Sequence, residues 1–133
     1  MIINSIFIID DDPIVVFGIK KLLHQYKNQM QVLTFNNGED AINAIYKLNQ
    51  KQISLPEVIF LDLNMPIMDG WEFLDAFLSL KLDKKIQINI LSSTIDPEDL
   101  NKVAIYKTVQ HHSINFNGKP ITRREIKKLT HAA

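Results

Sequence analysis

Cysteine is absent from this 133-residue chain, so neither a disulfide framework nor a thiolate zinc site is available. An apolar run long enough to cross a bilayer is missing too. The N-terminal MIINSIFII is short, carries no basic flank and runs straight into aspartates, which argues against a signal peptide or a membrane span and makes the cytoplasm the expected compartment. No long basic block occurs. Formal net charge is zero, with five Lys/Arg and one Glu in residues 119–131 and ten bases against fourteen acids elsewhere, so nucleic acid is not an expected partner. Internal repeats, low-complexity tracts and linkers are also lacking. The length suits one domain over residues 1–133, and a last helical pattern running to the C-terminus leaves no effector domain to expect.

What is present is an alternation of short apolar runs and amphipathic segments. SIFII (5–9), QVLTF (31–35), EVIFL (57–61), IQINIL (86–91) and SINF (113–116) read as strands. The first, third and fourth are rich in Ile, Val and Leu, as strands covered on both faces are. Between them, Val15, Ile19, Leu22 and Tyr26 share one helical face, as do Ala41, Ile45 and Leu48, and Phe73, Leu74, Phe77 and Leu78. Asp12-Pro13 and Asp96-Pro97 each place a capping carboxylate before a proline suited to the first helical position. Asn36-Asn37-Gly38 opens the second helix, and Thr122 to Glu125 forms a capping box at the head of a last helix over 121–131. Five strands each followed by a helix predict an α/β fold of (βα)5 type: a parallel sheet with helices on both faces.

Ligands of such sheets bind beyond the carboxyl ends of the strands. Strand one ends in Asp10, Asp11 and Asp12, strand three in Asp62, strand four in Ser92-Ser93-Thr94, and strand five in Lys119-Pro120. Carboxylates, hydroxyls and one ammonium therefore converge on one rim. Asp10 and Asp11 with Asp62 supply hard oxygen donors suited to Mg²⁺ (or Mn²⁺), which takes one or two carboxylates and keeps several waters. A lysine and a hydroxyl opposite suit a tetrahedral dianion bonded to a carboxylate, which favours phosphoryl transfer to an aspartate.

IIDDDP, FLDLNMPIMDG, ILSST and NGKP, in this order and spacing, resemble the response-regulator receiver family of two-component signalling. The resemblance covers roughly residues 5–129, and the combination is far more specific than any one piece. It implies a flavodoxin-like five-stranded sheet in the order 2-1-3-4-5. It implies Asp62 as phosphoacceptor, Asp11 as direct metal ligand, Asp10 acting largely through water, and the backbone carbonyl of Asn64 as a further ligand. Ser92 would hydrogen-bond a phosphoryl oxygen, Lys119 would pair with the phosphate, Phe116 matches an aromatic switch position, and a cis peptide is expected before Pro120. Departures are Ser92 in place of the commoner threonine, Ser93 where a smaller residue is frequent, and a stretch before strand five without the usual small residues. These bear on rates and output surface and leave the required groups in place.

Other residues have simpler readings. Asp12 is a helix cap, and Asp69-Gly70 is turn and cap chemistry. Phe116 reads equally as core, and Trp71 as a residue opening helix three and half covering its loop. His24, His111, His112 and His131 read as surface or loop residues, with a minor alternative of metal or partner contact for the adjacent pair. Arg123, Arg124, Lys127 and Lys128 read as a solvated helix face, or secondarily as a docking patch for an acidic partner. The implied activity is that of a phosphoacceptor, not an enzyme beyond its own phosphorylation and dephosphorylation. A histidine kinase or phosphotransfer protein would donate the phosphoryl group. An unspecified downstream protein would read the surface of helix four, strand five and helix five. Two rival readings are a binding module working without phosphorylation and a phosphatase of haloacid-dehalogenase type. The complete acidic set argues against the first, and the absence of an acidic pair after Lys119 against the second.

Overall fold

Period-two alternation in the first strand assigns its two faces: Phe7 and Ile9 point one way, Ile6 and Ile8 the other. The computed structural model, which describes residues 3–26, 30–109 and 111–131, arranges five strands and five helices strictly in alternation. They are β1 (Ser5–Ile9), α1 (Pro13–Tyr26), β2 (Gln31–Phe35), α2 (Gly38–Gln50), β3 (Val58–Asp62), α3 (Gly70–Leu78), β4 (Gln87–Ser92), α4 (Pro97–Val109), β5 (Ser113–Gly118) and α5 (Arg123–His131). The strands form one parallel sheet in the order β2-β1-β3-β4-β5, as the sequence resemblance implies.

Each sheet face has its own core. α2, α3 and α4 cover one, where Ile42, Ile45, Phe73, Phe77 and Val103 meet Phe7, Ile9, Ile59, Leu61 and Ile90. α1 and α5 cover the other, where Ile19, Leu23, Ile126 and Leu129 meet Ile6, Ile8, Val58 and Phe60. A fully buried side chain of the size of Phe73 contributes about 1.5–3 kcal/mol. The expected helical faces therefore turn inward; the side chains of Tyr26 and His131 lie outside the described ones.

Helix starts follow the capping chemistry in the sequence. Asp12 Oδ1 accepts from Ile14 N–H at 2.9 Å, and Asp96 Oδ1 from Glu98 N–H at 3.0 Å. Asn37 caps α2 and Asp69 caps α3, the latter in a reciprocal box with Glu72. Thr122 and Glu125 form the expected box, so α5 begins at Arg123 and not at residue 121.

Strands β3 and β4 each sit one residue later than the apolar runs suggest. Glu57, just before β3, keeps its backbone bonds, N–H to Ser5 C=O at 3.0 Å and C=O from Gln87 N–H at 2.9 Å. Its side-chain Oε1 accepts from the backbone N–H of Asn4 and Ser5 at 2.7 and 2.8 Å, while Oε2 pairs with Lys84. Burial alone would raise its pKa, but the Lys84 hydrogen bond and the two amides outweigh that and lower it. β5 runs two residues further than expected, to Gly118.

His112 lies in the loop before β5, as one of its two expected placements has it, but not at the surface. It is buried, its Nδ1 accepts from Ile86 N–H at 3.0 Å, and its ring lies 5.1 Å from that of Phe77. The backbone amide entering β4 needs an acceptor, and the imidazole supplies it. Burial, then the neighbouring His111, pushes its pKa down to about 4.

α4 is thinly attached. Among its described residues only Val103 is buried, while Leu100 and Ile105 face solvent. Half-buried Tyr106 stacks on Trp71 of α3 at 6.0 Å between centroids and donates its hydroxyl to Asp75, and Lys102 lies 4.5 Å over the Trp71 ring. Trp71 thus opens α3, as expected, but its ring engages α4. The Tyr106 hydroxyl is held in its protonated form, with its pKa pushed up to about 12 by burial and then by Asp75.

Candidate functional site

The carboxyl ends of β1, β3, β4 and β5 bring the expected groups to one rim. Leaving β1, the three aspartates separate at once. Asp10 turns inward and is buried, Asp11 faces solvent, and Asp12 caps α1. Asp10 is fixed by its backbone, whose N–H donates to Phe35 C=O at 2.9 Å, and by Oδ1, which accepts from Asp12 N–H at 2.9 Å. Asp62 is the last residue of β3, pairs in register with Leu91, and is 6% exposed. Ser92 closes β4, buried, with Oγ accepting from Thr94 N–H at 3.3 Å.

Lys119 ties the rim together. Its backbone N–H donates to Ser92 C=O at 2.8 Å, and the Lys119–Pro120 bond that follows is cis. Its ammonium stands 2.9 Å from Asp10 Oδ2 and 3.0 Å from Asp62 Oδ1. Burial works against that charge, yet close contact with and attraction from the Asp10 and Asp62 carboxylates prevail and hold its pKa above the usual lysine value. Asp62 moves the other way for a carboxylate. Its burial raises its pKa, the Lys119 hydrogen bond opposes this, the nearby Asp10 charge adds to it, and the net direction is up.

Among the described residues, Asp10, Asp11 and Asp62 form the one group of metal-capable side chains, with a carboxylate oxygen of each within 4.8 Å of the others. All the donors are hard oxygens, and Asp10 Oδ2 is buried, meeting the lysine charge without a hydrogen bond of standard geometry. Both facts fit a hard divalent cation. Asn64 is exposed and reaches Asp62 through its backbone N–H. Phe116 is half-buried, beside Ile90 in register, against the core that α4 shares. His24 and His111 are exposed and take no part in this acidic group.

The loop after Asp62 has two close backbone approaches that composition does not reveal. A Cβ on Gly70 would stand 2.3 Å from Asp62 C=O, so only glycine lets α3 begin directly against the chain at Asp62. Gly38 N–H donates to Met68 C=O at 2.9 Å, and a Cβ there would meet that oxygen at 2.8 Å. Between these supports, Ile67 takes φ 70° and Met68 N–H closes a three-residue turn on Pro66 C=O at 2.8 Å. A β-branched residue is rare in that conformation, and no pattern in the sequence signals it.

The family model for the response regulator receiver domain matches residues 6–131. The nitrate/nitrite response regulator protein NarL of Escherichia coli is 34% identical over 89 residues, which is 67% of this chain and 38% of NarL. The chain thus spans well under half of that relative. The crystal structure of a two-component response regulator from Cytophaga hutchinsonii superposes with a TM-score of 0.80 at 27% identity, covering 99% of this chain and 97% of that one. The chemotaxis protein CheY4 of Vibrio cholerae shares the fold at a TM-score of 0.74 and 21% identity, with 98% of each chain covered.

Proposed function

The chain belongs to the response regulator receiver domain family of two-component signalling, and on that premise we propose that Asp62 is its phosphoacceptor. The observation that carries the assignment is the Lys119 ammonium set between Asp10 and Asp62, at 2.9 and 3.0 Å, on the rim where three carboxylates cluster. Receivers are generally non-enzymatic phosphoacceptors that work with histidine kinases or phosphotransfer proteins and bind Mg²⁺ through acidic residues. In this chain Asp11, Asp62 and the Asn64 carbonyl would hold Mg²⁺, with Asp10 acting largely through water. The cation, when bound, neutralises charge on the transferring phosphoryl group.

The protein's own groups do the rest. An Asp62 oxygen attacks phosphorus as the phosphorus–nitrogen bond to the donor histidine breaks, and the histidine nitrogen keeps the electron pair. Lys119, already charged and already beside Asp62, exchanges part of its carboxylate contact for a phosphoryl oxygen. Ser92 turns its hydroxyl from Thr94 to another phosphoryl oxygen, and the space it leaves admits Phe116. Movement of Phe116 and α4 then changes the surface of α4, β5 and α5, which a downstream protein reads. No described helix is long and apolar enough to cross a membrane.

The assignment is tested by incubating the protein with acetyl phosphate, with and without Mg²⁺, and mapping the adduct by mass spectrometry. One metal-dependent, hydroxylamine-labile phosphoryl group on Asp62 is expected. Phosphate on a serine or histidine, or none from acetyl phosphate or a phosphohistidine donor, overturns it. A beryllofluoride adduct should shift amide signals around residues 96–128 as well as at the rim; shifts confined to the loops around Asp62 would remove the switch from the proposal.

A further inference from the structure

A polar strip crosses the sheet face that α5 covers. Interior strands of a helix-sheathed sheet carry apolar side chains on both faces, and β4 does so toward α3 and α4 with Ile88 and Ile90. Toward α5 it presents Gln87 and Asn89 before reaching Leu91, and the register sets Ser113, Asn115 and Asn117 of β5 beside these three. Asn89 is 4% exposed, yet its carboxamide makes one long hydrogen bond, 3.5 Å from Nδ2 to Gln87 Oε1. Asn115 Nδ2 reaches Ser113 Oγ at 3.4 Å. A deeply set amide so weakly partnered costs stability that a leucine would not, and the acceptor and donor capacity left over faces open space.

That space is a cleft of about 570 Å³ along the edge strand β5, with α5 on one side of the sheet edge and Phe116 and Lys107 of α4 on the other, within the range of small-molecule sites. Lys128 of α5 and Lys107 of α4 stand on its walls, both exposed and neither in an ion pair among the described residues. Glu125 also borders it. Its Oε1 is occupied by the N–H and hydroxyl of Thr122, which leaves Oε2 for another donor. The cleft runs from Gln87 and Ser113, the first residues of β4 and β5, up to Phe116, Asn117 and Ile121. None of Asp10, Asp11, Asp62, Ser92 or Lys119 lines it, so it adjoins the proposed switch residue without including the phosphorylation rim.

We propose that this cleft binds a small anionic heterocycle of the nucleoside monophosphate class. A carboxamide offers a donor and an acceptor side by side, the pair that matches one edge of a nucleobase. The free carboxylate oxygen of Glu125 accepts from ribose hydroxyls, as an acidic residue does in dinucleotide sites. Lys107 and Lys128 supply point charges for the phosphate.

The test is a titration of the full chain with AMP, followed by ¹⁵N-resolved NMR of the Asn and Gln side-chain amides, with adenosine and inorganic phosphate as separate arms. AMP should move the carboxamide signals of Asn89 and Asn115 saturably with a Kd at or below about 1 mM. Adenosine should do so at least several-fold more weakly, and phosphate alone should leave those signals in place. Asn89→Leu should abolish the AMP response and raise the melting temperature, because it restores an apolar floor. Asn115→Val repeats that test at a second position, and Lys128→Ala should weaken AMP several-fold with the fold intact. No saturable carboxamide shift at millimolar AMP overturns the proposal. So does an equal response to phosphate alone, or an Asn89→Leu protein that melts lower and still binds AMP.

Discussion

Replacing Asp62 by asparagine removes one charge from the rim while keeping its shape, and the structure sets the size and sign of the effect. At no more than 4.8 Å, Asp10 repels Asp62 by about 3.5 kcal/mol at an effective dielectric of about 20. Asp11 is exposed, so screening reduces its share below that. Lys119 at 3.0 Å attracts Asp62 by about 5.5 kcal/mol on the same scale. These charge contributions nearly cancel, and the lost hydration of a buried carboxylate decides the balance; burial is the leading cause of the raised Asp62 pKa. The carboxamide oxygen of the substituted side chain would still accept from Lys119, and Lys119 would keep Asp10 as its counter-ion. In chelator at pH 7, Asp62→Asn should therefore be more stable than wild type by about 1 kcal/mol, a melting temperature about 3 °C higher for a chain of this length. A folded pKa above the ordinary 3.8 gives a stabilisation that is complete below 3.8 and lost as pH rises through the folded value. The advantage of the mutant should thus shrink as pH falls toward 4. Adding Mg²⁺ should raise the melting temperature of wild type more than that of the mutant, because the cation binds the folded acidic cluster preferentially. A mutant that melts below wild type in chelator at pH 7 would refute this account of the rim.

The aspartate triplet separates by function: Asp11→Ala should abolish Mg²⁺ binding in calorimetry, whereas Asp12→Ala should keep it and lose about 1 kcal/mol of stability with the α1 cap. Equal loss of metal binding in both would show the roles to be misassigned. Ile67, at φ 70° and 73% exposed, holds backbone strain of order 1–3 kcal/mol, so Ile67→Gly should raise the urea midpoint by the equivalent of about 1 kcal/mol. An unchanged or lower midpoint contradicts that strain. His112, with its folded pKa lowered to about 4 from 6.5, favours folding fully above pH 6.5, and that contribution fades as pH falls from 6.5 toward 4, by at most about 3 kcal/mol. His112→Asn should flatten the decline between those values; parallel pH–stability curves for the two proteins would sink this reading.

Sequence patterns carry the architecture because each strand's face and each helix start is written locally. Ile6 to Ile9 alternate between two cores, and Asp12, Asn37, Asp69, Asp96 and Thr122 cap the helices they precede. The rim is equally legible, since strand ends of a parallel sheet must meet on one side, and Asp10, Asp62, Ser92 and Lys119 do meet there. What escapes a sequence reading depends on partners distant in the chain. The Glu57 side chain binds amides 52 and 53 residues away, and the buried His112 accepts from an amide 26 residues away. The resemblance pairs Lys119 with phosphate, but in the unphosphorylated rim it already bridges two carboxylates. The positive φ of Ile67 and the close approach at Gly70 belong to a turn whose geometry no local propensity encodes.

The slender seat of α4 sets the energy scale of the proposed switch. Lifting Val103 from its place exposes apolar surface worth at most about 1.5–3 kcal/mol, and parting the Tyr106 hydroxyl from Asp75 costs about 1 kcal/mol more. A phosphoryl group that gains one to three charge-assisted hydrogen bonds commands free energy of that same order. On the proposed switch, the unmodified protein would already visit the displaced arrangement in a minor fraction of molecules, and modification would change how many do so without creating a new shape. Substitutions at Trp71 or Tyr106 would accordingly set the resting level of output, like a bias on a dial, while leaving Asp62 and its chemistry untouched.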